Sequence, residues 1–392
     1  MRTILALALL AAGLDAAAAE TPMLPPSASD QVPRHLVTLA MPARAVSERA
    51  PVQFSWALDP NAAIVADPKP AAVESREYWQ EVDGADLQRG VGVTTTSPGA
   101  LIRVSPAADA AKVSADAVRV SRGGREVALA KRSGGEQLRA AGLAANDRTA
   151  VVKLAEDASP GRYDVRLAQA RGRYVMHVYE PRSEVRMRAA LSRDHALAGE
   201  NGEIRVDLLR GDARMKGAQG GALLVSPSGR SWPLSLTADG AGALRAKVPL
   251  PADAESEPGL WEVQVFANAG DVQRDVRTAI AVAQPTAKLD GSYRFDAAAL
   301  RFDLPVQAAS PGRYEVRGTL YATGPGNALR PVAIAHSARW IENGAGAVAL
   351  AFNRADLPAG YGAPFELRDV ELNDQTRLAP VERRTRVARI SR

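Results

Sequence analysis

The chain carries 49 Lys and Arg against 44 Asp and Glu over 392 residues, and it has no cysteine. Its formal charge of +5 is the small difference of two interspersed populations, which argues against a nucleic-acid partner. The lack of cysteine excludes disulfides and a lipoprotein anchor, so each domain must be stabilised by its own apolar core.

Residues 1–19 read as a secretory signal peptide. Arg2 gives a basic start, residues 4–14 form an apolar run, and Ala17, Ala18 and Ala19 make a small-residue cleavage site before Glu20. The run is too short to cross a bilayer, which needs about 20 apolar residues. Charges recur every few residues thereafter. The expectation is an exported protein of a Gram-negative bacterium, periplasmic or secreted, with no transmembrane anchor after signal removal.

A less regular β-rich domain is expected over 20–181. Pro25, Pro26 and Pro33 suggest a flexible lead over 20–34. Residues 52–58 read as a strand and 71–82 as the best helical candidate. The segments 101–104, 117–120, 127–129 and 150–154 alternate as half-buried strands do. Ser159-Pro160-Gly161-Arg162-Tyr163-Asp164-Val165-Arg166 follows, and it recurs as Ser310-Pro311-Gly312-Arg313-Tyr314-Glu315-Val316-Arg317. Looser copies are Glu257-Pro258-Gly259-Leu260-Trp261-Glu262-Val263-Gln264 and Pro358-Ala359-Gly360-Tyr361. Pro presets φ for a turn, Gly permits a positive φ, and a strand begins at once with its aromatic on the apolar face. The placement resembles the aromatic near the start of a late strand in an immunoglobulin-like sandwich.

The dense strand 174–179 stops at Glu180-Pro181, and 276–282 stops at Gln284-Pro285. Because Pro cannot continue a ladder, these stops mark domain ends. The fold class expected is all-β, with tandem immunoglobulin-like or fibronectin-like β-sandwiches over 182–285 and 286–392. Strand candidates in the first are 184–191, 203–209, 222–225 and 244–248, with a turn at Asp239-Gly240. In the second they are 300–304, 314–321, 332–341, 347–352 and 365–372.

The stretch from Ser75-Arg76-Glu77-Tyr78-Trp79 to Asp83-Gly84-Ala85, continued by Pro98-Gly99-Ala100-Leu101 and Arg103-Val104-Ser105-Pro106, resembles the N-terminal part of a secreted gammaproteobacterial family of unknown function. That resemblance implies export and an irregular β domain followed by immunoglobulin-like domains. It supplies no catalytic residues.

The residues offer little chemistry of their own. His35, His177, His195 and His336 lie in separate segments with no metal-binding spacing. There is no Gly-x-Ser-x-Gly elbow, Ser-x-x-Lys pair or phosphate-binding glycine loop, and neither a catalytic set, a metal set nor a cofactor is expected. Asp59, Asp67, Glu74, Glu77, Glu81, Asp83 and Asp86 read as a solvated, partly helical segment, since their spacing matches no calcium loop. Trp56, Trp79, Trp232 and Trp340 are the candidates for a carbohydrate platform, mostly expected in cores. The C-terminal run Arg383, Arg384, Arg386, Arg389 and Arg392 is either a polyanion contact or the charged guard of an edge strand. The reading that results is a non-catalytic binding or structural protein whose partner is a protein or a cell-envelope glycan or polyanion. The alternative is a secreted hydrolase or accessory protein with its site in the N-terminal domain.

Overall fold

The computed structural model describes residues 20–391 except 44–47, 65–68, 143–144, 253–256 and 258–259. The signal peptide expected over 1–19, Arg392, and the Pro258-Gly259 of one repeat copy lie outside the described residues. The protein is an all-β multidomain chain of antiparallel sheets. The helix expected over 71–82 is instead two strands, Val73–Ser75 and Glu77–Asp83. Tyr78 and Val82 point into a core while Glu77 and Glu81 point away, a period of two that pairing with Arg173–Tyr179 enforces.

The chain divides into two compact units, residues 69–282 and a second in which the N-terminal segment joins the C-terminal domain. In the first unit, a ten-stranded sheet runs through two apolar cores. One core gathers Tyr78, Ile102, Val152, Tyr163 and Met176, and the other Met187, Val206, Leu224, Trp261 and Val263. The sheet is continuous because Val272–Ala283 meets Glu77–Asp83 at a single residue pair, Asp275 opposite Glu77. Beside that bridge, Arg274 Nη2 lies 2.5 Å from Glu180 Oε2, with both side chains 0% exposed. The pair is fully supplied with partners. Arg274 also donates to Thr96 Oγ1, Ser183 Oγ and the Val185 carbonyl, and Glu180 accepts from the Ser97 amide. A buried ion pair is tolerated only when such hydrogen bonds replace the lost water.

In the second unit the N-terminal segment lies along the C-terminal domain. Thr21–Pro22 pairs with Ser292–Asp296, Met23 enters the C-terminal core, and the amide of Leu24 donates to the carbonyl of Val387. Gln31 bridges to Arg383, and Val52–Ala57 pairs with Leu329–Ile341 from Val52 opposite Ala338 to Ala57 opposite Ala333. The prolines leave enough donors for this segment to cover part of an edge strand, Ala379–Ile390, that would otherwise be open. The core of this unit joins Phe302, Leu304, Tyr314, Val316, Leu367 and Val387.

Each of the three cores holds the aromatic of one repeat copy: Tyr163, Trp261 and Tyr314. Tyr163 and Tyr314 each turn their hydroxyl back to the carbonyl four residues upstream, on Ser159 and Ser310. This is the bonding pattern of a tyrosine corner, a side chain that closes the turn leading into its own strand. Gly161 has φ 140°, as the turn argument requires. Gly312 serves differently, since a Cβ there would press on Asp374 Oδ1 at 3.3 Å.

Two measurements follow from these contacts. Tyr314→Phe keeps the ring but orphans the buried Ser310 carbonyl, so it should lower stability in urea unfolding by about 1–3 kcal/mol; an unchanged midpoint would show that the hydroxyl does not brace the turn. Asp275 is 7% exposed, and burial pushes its carboxyl up to about 7 against the pull of the Trp79 amide that donates to it at 2.7 Å. A carboxyl raised on folding stabilises the fold fully below its unfolded value of about 4, and the contribution fades as pH rises through the folded value. Between pH 5 and pH 8 the wild type should therefore lose roughly 2–3 kcal/mol relative to Asp275→Asn, which keeps an acceptor for the amide. Parallel pH profiles of the two proteins would contradict this.

Candidate functional site

The five-stranded sheet of the second unit runs in the order Val52–Ala57, Leu329–Ile341, Gly312–Thr323, Gly362–Asp374 and Ala379–Ile390. Its inner face supplies Val316, Ala333, Ala335 and Leu372 to the core. The alternation that buries these residues turns their neighbours outward. One register row crosses all five strands on the outer face: Phe54, His336, Arg317, Glu371 and Arg383.

At the Val52–Ala57 edge the row becomes aromatic. Phe54 and Trp56 are 47% and 44% exposed, and their rings lie within 5.5 Å of each other and of the His336 ring between centroids. The three planes are parallel to within 17°. The imidazole is fixed because Nδ1 lies 2.7 Å from Glu315 Oε1, whose other oxygen accepts from Gln375 at 3.1 Å. Along the same strand, Trp340 lies under the guanidinium of Arg49 at 4.2 Å. Next to the aromatics, Arg317 pairs with Glu371 at 2.8 Å and Arg368 stacks on Tyr321 at 4.7 Å. Burial pushes the Asp369 carboxyl up. The face thus combines rigid ring surfaces with a ladder of hydrogen-bonding groups.

The arginine run lies on the far strand of this same sheet and does not form one patch. Arg383 is within 3.7 Å of Glu371. Arg384 is 6% exposed and bound to Glu382 Oε1 at 2.6 Å, while Glu382 Oε2 accepts the Leu289 amide. Burial pushes the Glu382 carboxyl up and Arg384 pulls it back. Arg386 and Arg389 keep exposed side chains but share Glu366, at 3.3 and 3.8 Å. The acids of the neighbouring strand and of its own strand answer most of the run, and Arg384 is buried.

The remaining candidates are dispersed. Trp261 is fully buried, Trp232 stacks on it at 5.2 Å, and Trp79 packs edge-on against Phe266 at 4.9 Å. Of the four platform tryptophans, Trp56 is the one whose ring is widely open. His177 reaches Glu77 at 3.0 Å and His195 reaches Asp194 at 2.7 Å, while His35 is exposed. The acidic residues of 59–86 separate as well. Glu74 binds Arg186, Asp86 binds Arg89, and Asp67 lies outside the described residues. No group of three or more acids and histidines among the described residues is placed to hold a metal ion.

Phe54 is not singled out by the sequence, and His336 appears there only as one of four scattered histidines. The usable signal was Val52, Phe54 and Trp56 at every second position, large apolar groups on a strand with no local hairpin partner.

Residues 43–180 match the model of the N-terminal domain of a domain-of-unknown-function family, DUF4785, and residues 286–391 match that of its C-terminal domain. No curated protein matches the sequence. Among solved structures, the crystal structure of a DUF4785 family protein from Legionella pneumophila aligns over 92% of this chain and 99% of its own. Its TM-score is 0.69 at 18% identity, a likeness of fold. The Yersinia pseudotuberculosis adhesin InvE aligns over 50% of this chain and 58% of its own at 10% identity, and TarS of S. aureus over 44% and 36% at 10%; both have TM-scores of 0.18, too low to carry an argument. With residues 43–180 and 286–391 matched by the models of its N-terminal and C-terminal domains, the chain belongs to the DUF4785 family.

Proposed function

We propose that the protein is an exported, non-catalytic binding protein whose contact surface is the outer face of the five-stranded sheet, and that its ligand is a glycan of the cell envelope. The carrying observation is the exposed stack of Phe54, Trp56 and His336. Sugar rings are C–H-rich on their faces and hydroxyl-rich at their rims. Parallel aromatic surfaces suit the first and the Glu315–His336 and Arg317–Glu371 pairs suit the second.

A soluble protein gains nothing in its own fold by leaving two large rings open on an edge strand, and such an edge carries an aggregation hazard. A flat platform fits a polymer better than a deep pocket would, because each site can be weak while repeated engagement supplies the affinity. Export is supported by the signal-like residues 1–19. The two sandwich-like layers of residues 69–282, locked by the Glu180–Arg274 pair, then serve as a rigid spacer.

The test is co-sedimentation of the native protein, recovered from the envelope fraction, with peptidoglycan sacculi, and its capture on lipopolysaccharide as the second glycan source. The expected result is a chain beginning at Glu20 that binds one of the two and loses about tenfold in affinity, ~1.4 kcal/mol, in a Phe54→Ala, Trp56→Ala double variant. A chain that retains Met1 in the cytoplasm, or binding indifferent to the double variant, would sink the proposal.

A further inference from the structure

A second surface, on the unit formed by residues 69–282, has a different chemistry. Where Glu77–Asp83, Arg173–Tyr179 and Leu101–Pro106 lie side by side, the register places Trp79, His177 and Arg103 in one row and Glu81, Val175 and Ser105 in the next. Arg277, from the strand joined to this sheet at Asp275, stands with its guanidinium 5.7 Å from the Trp79 ring. Together these residues line an open cleft of about 470 Å³, the size of a small-ligand site.

The groups in the cleft are fixed but not used up. Arg103 donates through Nε to Ser105 Oγ at 3.0 Å, which orients the side chain while its two terminal amino groups have no partner among the described residues. Arg277 has no carboxylate within ion-pair distance among the described residues. Asp275 and Glu77 interact with its charge, but their hydrogen bonds go to the Trp79 amide and to His177 Nε2 at 3.0 Å. The other ring nitrogen of His177 has no protein partner among the described residues. Glu81 is the one remaining acid on the lining. A guanidinium held at Nε with its fork open is the donor geometry that planar carboxylates and phosphates match with two parallel hydrogen bonds. Beside it, the Trp79 ring offers a surface on which a ring can stack.

We propose that this cleft binds a small ring-bearing organic anion, its carboxylate or phosphate held by Arg103 and Arg277 and its ring laid against Trp79. The site is separate from the Phe54–Trp56–His336 platform and stands whether or not that platform binds a glycan.

Isothermal titration of the protein with D-glucuronate, glucose 6-phosphate, glucose and inorganic phosphate tests it. Expected is binding of at least one of the two acids at least tenfold tighter than glucose, with a tenfold or greater loss in Arg103→Gln and in Arg277→Gln and no change in Trp56→Ala. Preference for glucuronate marks a carboxylate ligand and preference for glucose 6-phosphate a phosphate; either supports the site. Arg103→Lys, which keeps the charge but loses the fork, should weaken binding and serves if the Gln variant fails to fold. No binding of either acid, equal binding of glucose, inorganic phosphate matching glucose 6-phosphate, or affinity unmoved by the arginine variants would overturn it.

Discussion

The pairing of Val52–Ala57 with Leu329–Ile341 is the contact on which the second unit and its surface depend. It brings residues some 280 positions apart in the chain into one ladder. Without it Phe54 and Trp56 would have no His336 beside them, and the outer face of the C-terminal sheet would keep its charge ladder but lose its aromatic end. The same pairing makes the unit discontinuous in sequence, its first strands lying before residue 69 and its remainder beyond residue 282. By logarithmic scaling, a loop closure of that length costs about 3 kcal/mol more than one of about ten residues. The intervening residues are themselves a compact unit, which shortens the effective loop.

Unit 69–282 meets a different constraint with a different device. A chain without cysteine cannot staple one sandwich-like layer to the next, and its continuous sheet is joined at one residue pair. The Glu180–Arg274 pair secures that joint. Each charge is removed from water, so the pair itself adds little net stability, whereas removing either partner would leave the other buried and unpaired. Thr96 and Ser183 complete the network, and they come from the chain segments that flank the junction. The apolar cores on either side supply the stability.

Much of the fold was legible because period-two alternation is a local property. Strands 150–154, 174–179 and 244–248 coincide with Ala150–Leu154, Arg173–Tyr179 and Leu244–Pro249 to within a residue or so. The Pro-Gly-aromatic repeat was legible for the same reason, and its tyrosines close their own turns through a carbonyl only four residues away. The segment 71–82 misled because its charges suggested a solvated helix, whereas Tyr78 and Val82 are drawn into a core by a partner strand about a hundred residues later. Over 20–34, proline content says how the segment bends but not what edge it lies along.

The surface was far less legible. An arginine run looks like a free cationic patch until the strand beside it is known, and here Glu366 and Glu371 stand on that strand while Glu382 stands within the run's own strand. The aromatic platform is assembled from two segments that carry no shared motif. Amide hydrogen exchange with and without soluble peptidoglycan glycan chains tests the platform directly. If the stacked rings are the binding surface, exchange should slow at residues 52–57 and 334–340, where a bound chain covers the edge strand and its neighbour. Unchanged exchange in those two segments at saturating glycan would contradict the assignment.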